Sequence, residues 1–223
     1  MKYNSGNYEK YMTKNPLKRA LVNKLNNQIV CSVGHMIEKI GENFELLDAG
    51  CGEGFIDTLL KKAFPNIRIT GVEYTREAIT VAQNKNPNVT YIQGDITKLN
   101  FEDNQYDIVI CTEVLEHIYY PHVALSELER VSKGNILITV PHEPWFCLGN
   151  LFTLRNISRL GNPIDHVNHW TKNTFSQFLL QNSISGGGTN LLLVFLGLLP
   201  LKSNSNPLGR TVLSDIRLTS EDG

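Results

Sequence analysis

The chain lacks the marks of several protein classes at once. None of its four cysteines, Cys31, Cys51, Cys111 and Cys147, forms a C-x-x-C pair. Their wide spacing argues against a disulfide framework or a structural zinc site and predicts reduced thiols in a cytoplasmic protein. Neither sign of charge dominates. Lys and Arg number 21 and Asp and Glu 22, so no nucleic acid or anionic membrane surface is expected as partner. Long apolar runs are missing too. The longest, Leu191 to Leu201, is too short to cross a bilayer and carries Gly197 and Pro200, so no transmembrane segment is expected. The opening Met-Lys-Tyr-Asn-Ser-Gly does not read as a signal peptide, and no repeat or low-complexity tract occurs. What is present is enough chain, 223 residues, for one α/β domain with a sizeable core.

One stretch organises that domain. Leu46-Leu47-Asp48-Ala49-Gly50-Cys51-Gly52-Glu53-Gly54-Phe55 reads as a buried strand, a glycine turn and a helix start. Phe55, Ile56, Leu59, Leu60, Ala63 and Phe64 then follow helical spacing with one apolar stripe. The glycines allow a sharp bend and close approach of a ligand to bare main chain. The amides of the helix start favour an anionic or accepting ligand group.

Residues 1–40 are expected to form a polar, tyrosine-rich lead and a cap helix. Leu17, Leu21, Leu25, Ile29, Val33 and Ile37 recur at helical spacing, and Pro16 suits the first turn. Tyr8 and Tyr11 are candidates for a lid over a ligand. Residues 41–223 are expected to be the main domain. Strands are predicted over 66–73, 89–95, 106–111 and 135–141, and helices over 75–84, with Thr75 as N-cap, and 121–131. This βαβα alternation predicts a three-layer, Rossmann-like sandwich, a mainly parallel sheet with helices on both faces. Residues 142–170 have weak periodicity and many Asn, Gly, His and aromatic residues, and read as a functional insertion. Thr171 caps a following helix. Leu191–Leu201 suits a strand or buried turn, and 210–218 a last strand.

Ligands of parallel α/β sheets bind beyond the carboxyl ends of the strands. Asp48, Glu73 and Asp95 fall near three successive ends. A carboxylate at Glu73 can accept from both hydroxyls of a ribose. Asp95 suits an exocyclic amine of adenine, with Ile96 against the ring, and Asp48 suits a cationic ammonium. The turn is G-x-G-x-G, at Gly50, Gly52 and Gly54, rather than the G-x-G-x-x-G of dinucleotide binders. A pyrophosphate would be repelled by Asp48, whereas an amino-acid moiety would not.

These residues resemble the class I S-adenosylmethionine-dependent methyltransferases, in particular their methyltransferase-11/12-type small-molecule group. Leu47 to Gly54 looks like that family's first motif, Gly71-Val72-Glu73 its ribose-binding acid, and Gly94-Asp95-Ile96 its adenine segment. Cys111-Thr112-Glu113-Val114-Leu115-Glu116-His117-Ile118 is similar to its fourth-strand motif. The four occur in order over roughly 40–145. Asp165-His166-Val167-Asn168-His169-Trp170 resembles a motif found after the fifth strand in some members. The resemblance implies a seven-stranded sheet. It implies S-adenosylmethionine as cofactor, S-adenosylhomocysteine as product, and Asp48, Gly50, Gly52, Glu73, Tyr74, Asp95, Ile96 and Glu113 as cofactor contacts. It also implies an antiparallel strand pair after the 171–181 helix, which the triple glycine at 186–188 fits poorly.

Methyl transfer to an oxygen, nitrogen or carbon nucleophile of a small molecule is the implied reaction. The cofactor arrives activated, so position matters most, with a base needed for some acceptors. His142 and His169 are the candidate bases; His117 and Glu116 read as structural. Asp165, His166 and His169 suit a hydrogen-bonded loop anchor or a substrate-pocket wall better than a metal site, and no metal is expected. Trp145 and Phe146 suit an apolar acceptor pocket or plain core. Two other readings stay open: a nicotinamide-dependent oxidoreductase, and a catalytically inactive methyltransferase-like binding or regulatory protein.

Overall fold

The computed structural model describes residues 6–41, 43–141, 166–182 and 190–196. The elements run α1 (Gly6–Tyr11), α2 (Pro16–Ile40), β1 (Glu45–Ala49), α3 (Phe55–Ala63), β2 (Arg68–Glu73), α4 (Arg76–Lys85) and β3 (Thr90–Gln93). There follow β4 (Ile108–Thr112), a 3-10 turn (Leu115–His117), α5 (Pro121–Val131), β5 (Asn135–Pro141), α6 (Lys172–Asn182) and β6 (Asn190–Leu196). Asn15 starts α2, its side chain accepting from the amides of Leu17 (3.0 Å) and Lys18 (3.1 Å), with Pro16 at the first helical position. Only the later part of the α2 stripe is used. Leu25, Ile29, Val33 and Met36 are buried, while Leu17 is exposed.

The six strands of the described residues form one sheet in the order β3-β2-β1-β4-β5-β6, every pairing parallel. The stretch expected to supply a last strand, 210–218, lies outside the described residues. Of the pair of strands expected after α6, the described residues hold one, β6, which runs parallel to β5, from Asn135 beside Asn190 to Pro141 beside Leu196.

Strand alternation divides the core in two. Leu47, Ala49, Val109, Cys111, Ile136 and Ile138 face α5, α6 and Trp170. Leu46, Ile69, Ile108, Ile110 and Leu137 face α2, α3 and α4. Asp48 shares the register of Leu46 and so points toward α3, a polar group on an apolar face.

The chain leaves β1 toward β2 and β3, then returns to pair β4 against the other side of β1. This reversal opens a crevice beyond the carboxyl ends of β1 and β4, where parallel sheets bind ligands. Among the described residues no helix is long and apolar enough to cross a membrane.

Candidate active site

The glycine turn lies at that crevice. The amides of Gly50 and Cys51 both donate to the Val72 carbonyl, at 2.8 and 3.0 Å, which bends the chain across the end of β2. Gly50 has φ of 85°, in the left-handed region, and a Cβ there would lie 2.5 Å from Val114, just past β4. The bend therefore needs glycine for conformation and for space. Gly52 lends its amide to Glu73 Oε2 at 3.1 Å.

Glu73, at the end of β2, also accepts from the Thr75 amide through Oε1 (2.9 Å) and from the Thr75 hydroxyl. Thr75 stands at the N-cap of α4 as expected, but with its hydroxyl spent on Glu73 it makes no side-chain cap bond. Its hydrogen bonds fix the Glu73 carboxylate instead. Tyr74 beside it is 74% exposed. Asp95 stands two residues beyond the end of β3, not within the strand. Its Oδ1 accepts from the amide and hydroxyl of Thr97 at 2.8 and 2.7 Å, leaving the side chain exposed at the rim. Ile96 is buried in the core with Val72 and Leu99.

Glu113 follows β4 with φ of 57°, rare for a residue with a side chain. Its amide donates to the Thr139 carbonyl (3.0 Å) and hydroxyl (3.1 Å), and its carboxylate accepts from that hydroxyl at 3.2 Å. The turn is thus tied to β5. Lys10 Nζ reaches the other carboxylate oxygen at 3.8 Å. Next to Lys10, Tyr11 stacks on Phe55 at the start of α3, with centroids 4.2 Å apart, and donates to Asn26 on α2 at 3.3 Å. Burial, then Glu113, Asp48, Glu53 and Asp57, raise the Tyr11 hydroxyl pKa. The N-terminal segment therefore covers the acidic crevice from above.

Asp48 lies beneath it, 1% exposed, with neither carboxylate oxygen meeting a donor. Burial first, then the Asp57 carboxyl and Glu73, push its pKa well above the ordinary carboxylate range. Asp57, in the first turn of α3, is raised to about 6, chiefly by burial; the bond from Tyr91, the neighbouring Asp48 carboxyl and the charge of Lys85 oppose the rise. Nothing in the sequence singles out Asp57. An acid in a first helical turn is ordinary company for the helix dipole, and only the packing of α3 on β1 turns it inward. The Cys51 thiol, buried among these acids, is raised and so unreactive.

The segment 166–170 docks on the 3-10 turn. The amides of Val167 and Asn168 donate to the Glu116 carbonyl at 2.8 and 3.0 Å. Asn168 Nδ2 donates to the carbonyls of Leu115 (3.2 Å) and Ile118 (2.6 Å). Trp170 is buried against Phe175 and Phe178 of α6. The segment is thus anchored through Val167, Asn168 and Trp170. Asn168→Ala leaves both carbonyls without that donor and is expected to lower stability by roughly 2 kcal/mol, or Tm by roughly 4–8 °C, in thermal unfolding.

His169 is exposed in this segment, its ring 6.2 Å from that of His166. His166 in turn meets His117 edge-on at 5.0 Å. One ligand atom from each of Glu116, His117 and His166 falls within 4.8 Å of the others, so the grouping with cation-like spacing includes His117 rather than His169. His142, Trp145, Phe146 and Asp165 lie outside the described residues.

The family model described as "Methyltransferase domain" matches residues 47–138. An uncharacterized methyltransferase of Schizosaccharomyces pombe is 35% identical over 114 residues, 46% of this chain and 41% of that protein. A ubiquinone biosynthesis O-methyltransferase of Rickettsia bellii is 34% identical over 117 residues, 48% of each. The match thus spans about half the length of these curated relatives, or less. Among solved structures, the magnesium protoporphyrin IX methyltransferase of Synechocystis PCC 6803, with bound S-adenosylhomocysteine, shares the fold with a TM-score of 0.59. It is 18% identical, over 80% of this chain and 84% of that one.

Proposed function

We propose that the protein, whose residues 47–138 match a methyltransferase domain, is a class I S-adenosylmethionine-dependent methyltransferase that transfers a methyl group to a nucleophilic oxygen, nitrogen or carbon of a small molecule. The observation that carries this reading is the pair of unpartnered, buried Asp48 oxygens beneath a turn of bare backbone. That combination suits a ligand with a cationic amino-acid tail. The residues fit S-adenosylmethionine, which supplies an electrophilic methyl on a sulfonium and needs no further activation by the protein.

In this reading the chain's own groups bind and orient. Gly50 and Gly52 leave room for the ligand along the backbone. Glu73, held by Gly52 and Thr75, accepts from the ribose hydroxyls. Asp95, held by Thr97, accepts from the adenine amine, with Ile96 beneath it as floor and Tyr74 as an exposed wall. Asp48 and Glu113 face the amino-acid end and the acceptor. Tyr11 and Lys10 close over the crevice and exclude water, which strengthens every polar contact within it. His142 and His169 are the proposed bases for a proton on the acceptor. The near-neutral charge of the chain favours a small-molecule acceptor over nucleic acid. The free thiols of Cys31, Cys51 and Cys111, among the described residues, suit the cytoplasm.

The test is calorimetric titration with S-adenosylhomocysteine, followed by transfer of labelled methyl from S-adenosylmethionine to a panel of hydroxylated and amino acceptors. Saturable binding with a single site is expected. A protein that takes up no S-adenosylhomocysteine overturns the reading.

A further inference from the structure

Among the described residues, three buried carboxylate oxygens sit together without a donor: both of Asp48 and Oδ1 of Asp57. The two side chains come from β1 and from the first turn of α3, and both are essentially inaccessible to water. Two carboxylates bond to each other only through a shared proton, and two ionised carboxylates this close repel each other in a medium that solvates neither.

The surroundings hold Asp57 in place without neutralising the pair. Tyr91 on β3 donates to Asp57 Oδ2 at 2.8 Å. Asn86, at the end of α4, donates to the Tyr91 hydroxyl and to the Gly54 carbonyl, each at 2.9 Å, and accepts from Thr58 of α3 at 2.7 Å. Asp57 is thereby tied to the glycine turn itself. The other charged or titratable groups facing the pair are Glu73 at the end of β2, Cys51 in the turn, Cys111 on β4, Tyr11 above, and Lys85 on α4. Of these only Lys85 is a cation. Its ammonium is placed elsewhere, donating to the Glu53 carbonyl at 3.0 Å and lying over the Phe55 ring.

We propose that Asp48 and Asp57 share a proton in the ligand-free protein and exchange it for the ammonium of the cofactor's amino-acid moiety. The inference rests on the cofactor reading above and adds Asp57 and a proton to it. Three acceptor oxygens meet the three N–H donors of an ammonium. The carboxyl O–H bond breaks, its proton passes to solvent, and the ammonium supplies the positive charge in its place. Burial raises both acids, and the neighbouring Asp57 and Glu73 raise Asp48 further, which keeps the proton on the pair toward neutral pH.

Titration of the wild type with S-adenosylhomocysteine near neutral pH, in phosphate and in Tris, reads the proton directly, because the two buffers differ in ionisation heat. Release of about one proton per ligand is expected. Methylthioadenosine, which lacks the amino-acid moiety, is expected to release none. In Asp57→Asn the repulsion on Asp48 is gone, so Asp48 ionises more readily and the release falls to less than about half. Equal heats in both buffers for the wild type, or the same release with methylthioadenosine, overturn the exchange while leaving the cofactor site standing. Full release retained by Asp57→Asn overturns the role of Asp57. No binding of either ligand to the wild type overturns the cofactor reading, and this inference with it. The first two measurements need only the native protein.

Discussion

Glu73→Ala is expected to weaken S-adenosylhomocysteine binding by roughly 30- to 1,000-fold, read as the change in Kd by titration calorimetry. Two charge-assisted hydrogen bonds to a ribose would be lost, together worth about 2–4 kcal/mol once desolvation is offset. A second effect adds to the first. Glu73 holds the Gly52 amide at 3.1 Å and the Thr75 amide at 2.9 Å, so its removal loosens the turn that shapes the site. Glu73→Gln separates the two contributions. A glutamine still accepts from one of those amides but lacks the charge, so an intermediate loss is expected. An alanine variant that binds as well as the wild type would remove Glu73 from the site.

Gly54→Ala is the substitution with the largest expected effect on stability. Gly54 sits at the N-cap of α3 with φ of 67°, where a side chain costs about 1–2 kcal/mol. The added methyl also has nowhere to go. Its Cβ would stand 2.5 Å from the Tyr91 hydroxyl, 2.8 Å from Asn86 Nδ2 and 3.2 Å from Ala82. The Tyr91 hydroxyl is held by Asp57 and Asn86, so it cannot swing aside without breaking both bonds. Overpacking of this kind costs about 1–3 kcal/mol more. A fall in Tm on the order of 10 °C is expected in thermal unfolding, from a combined loss of roughly 3–4 kcal/mol. Little change in Tm would mean that the Tyr91–Asn86–Asp57 network yields easily, and the rigid placement of Asp57 would go with it.

The elements themselves were legible because their signals are local. The stripe Ile56, Leu60 and the run from Asn135 to Pro141 each specify a period that only one backbone conformation satisfies. β5 and α5 occupy the stretches that their patterns predict. The G-x-G-x-G spacing marked the turn for the same reason, since left-handed backbone at Gly50, Gly52 and Gly54 is costly for any other residue. Asp95 was less legible. Alternation carries through Val89 to Asp95, but pairing with β2 ends at Gln93 and a turn held by Thr97 takes over.

By itself, then, the order of residues determined where the chain turns, which faces are apolar and which acids stand near strand ends. The tertiary structure alone decided which of those acids lose water and which partners they meet. Asp57 faces Asp48 because α3 packs on β1, and Asn168 reaches the carbonyls of Leu115 and Ile118 about fifty residues back. β6 lies parallel to β5 by a pairing that no local pattern encodes. A period of 2 or 3.6 residues orients a side chain relative to its own backbone, whereas desolvation and charge repulsion depend on what other segments bring to the same place.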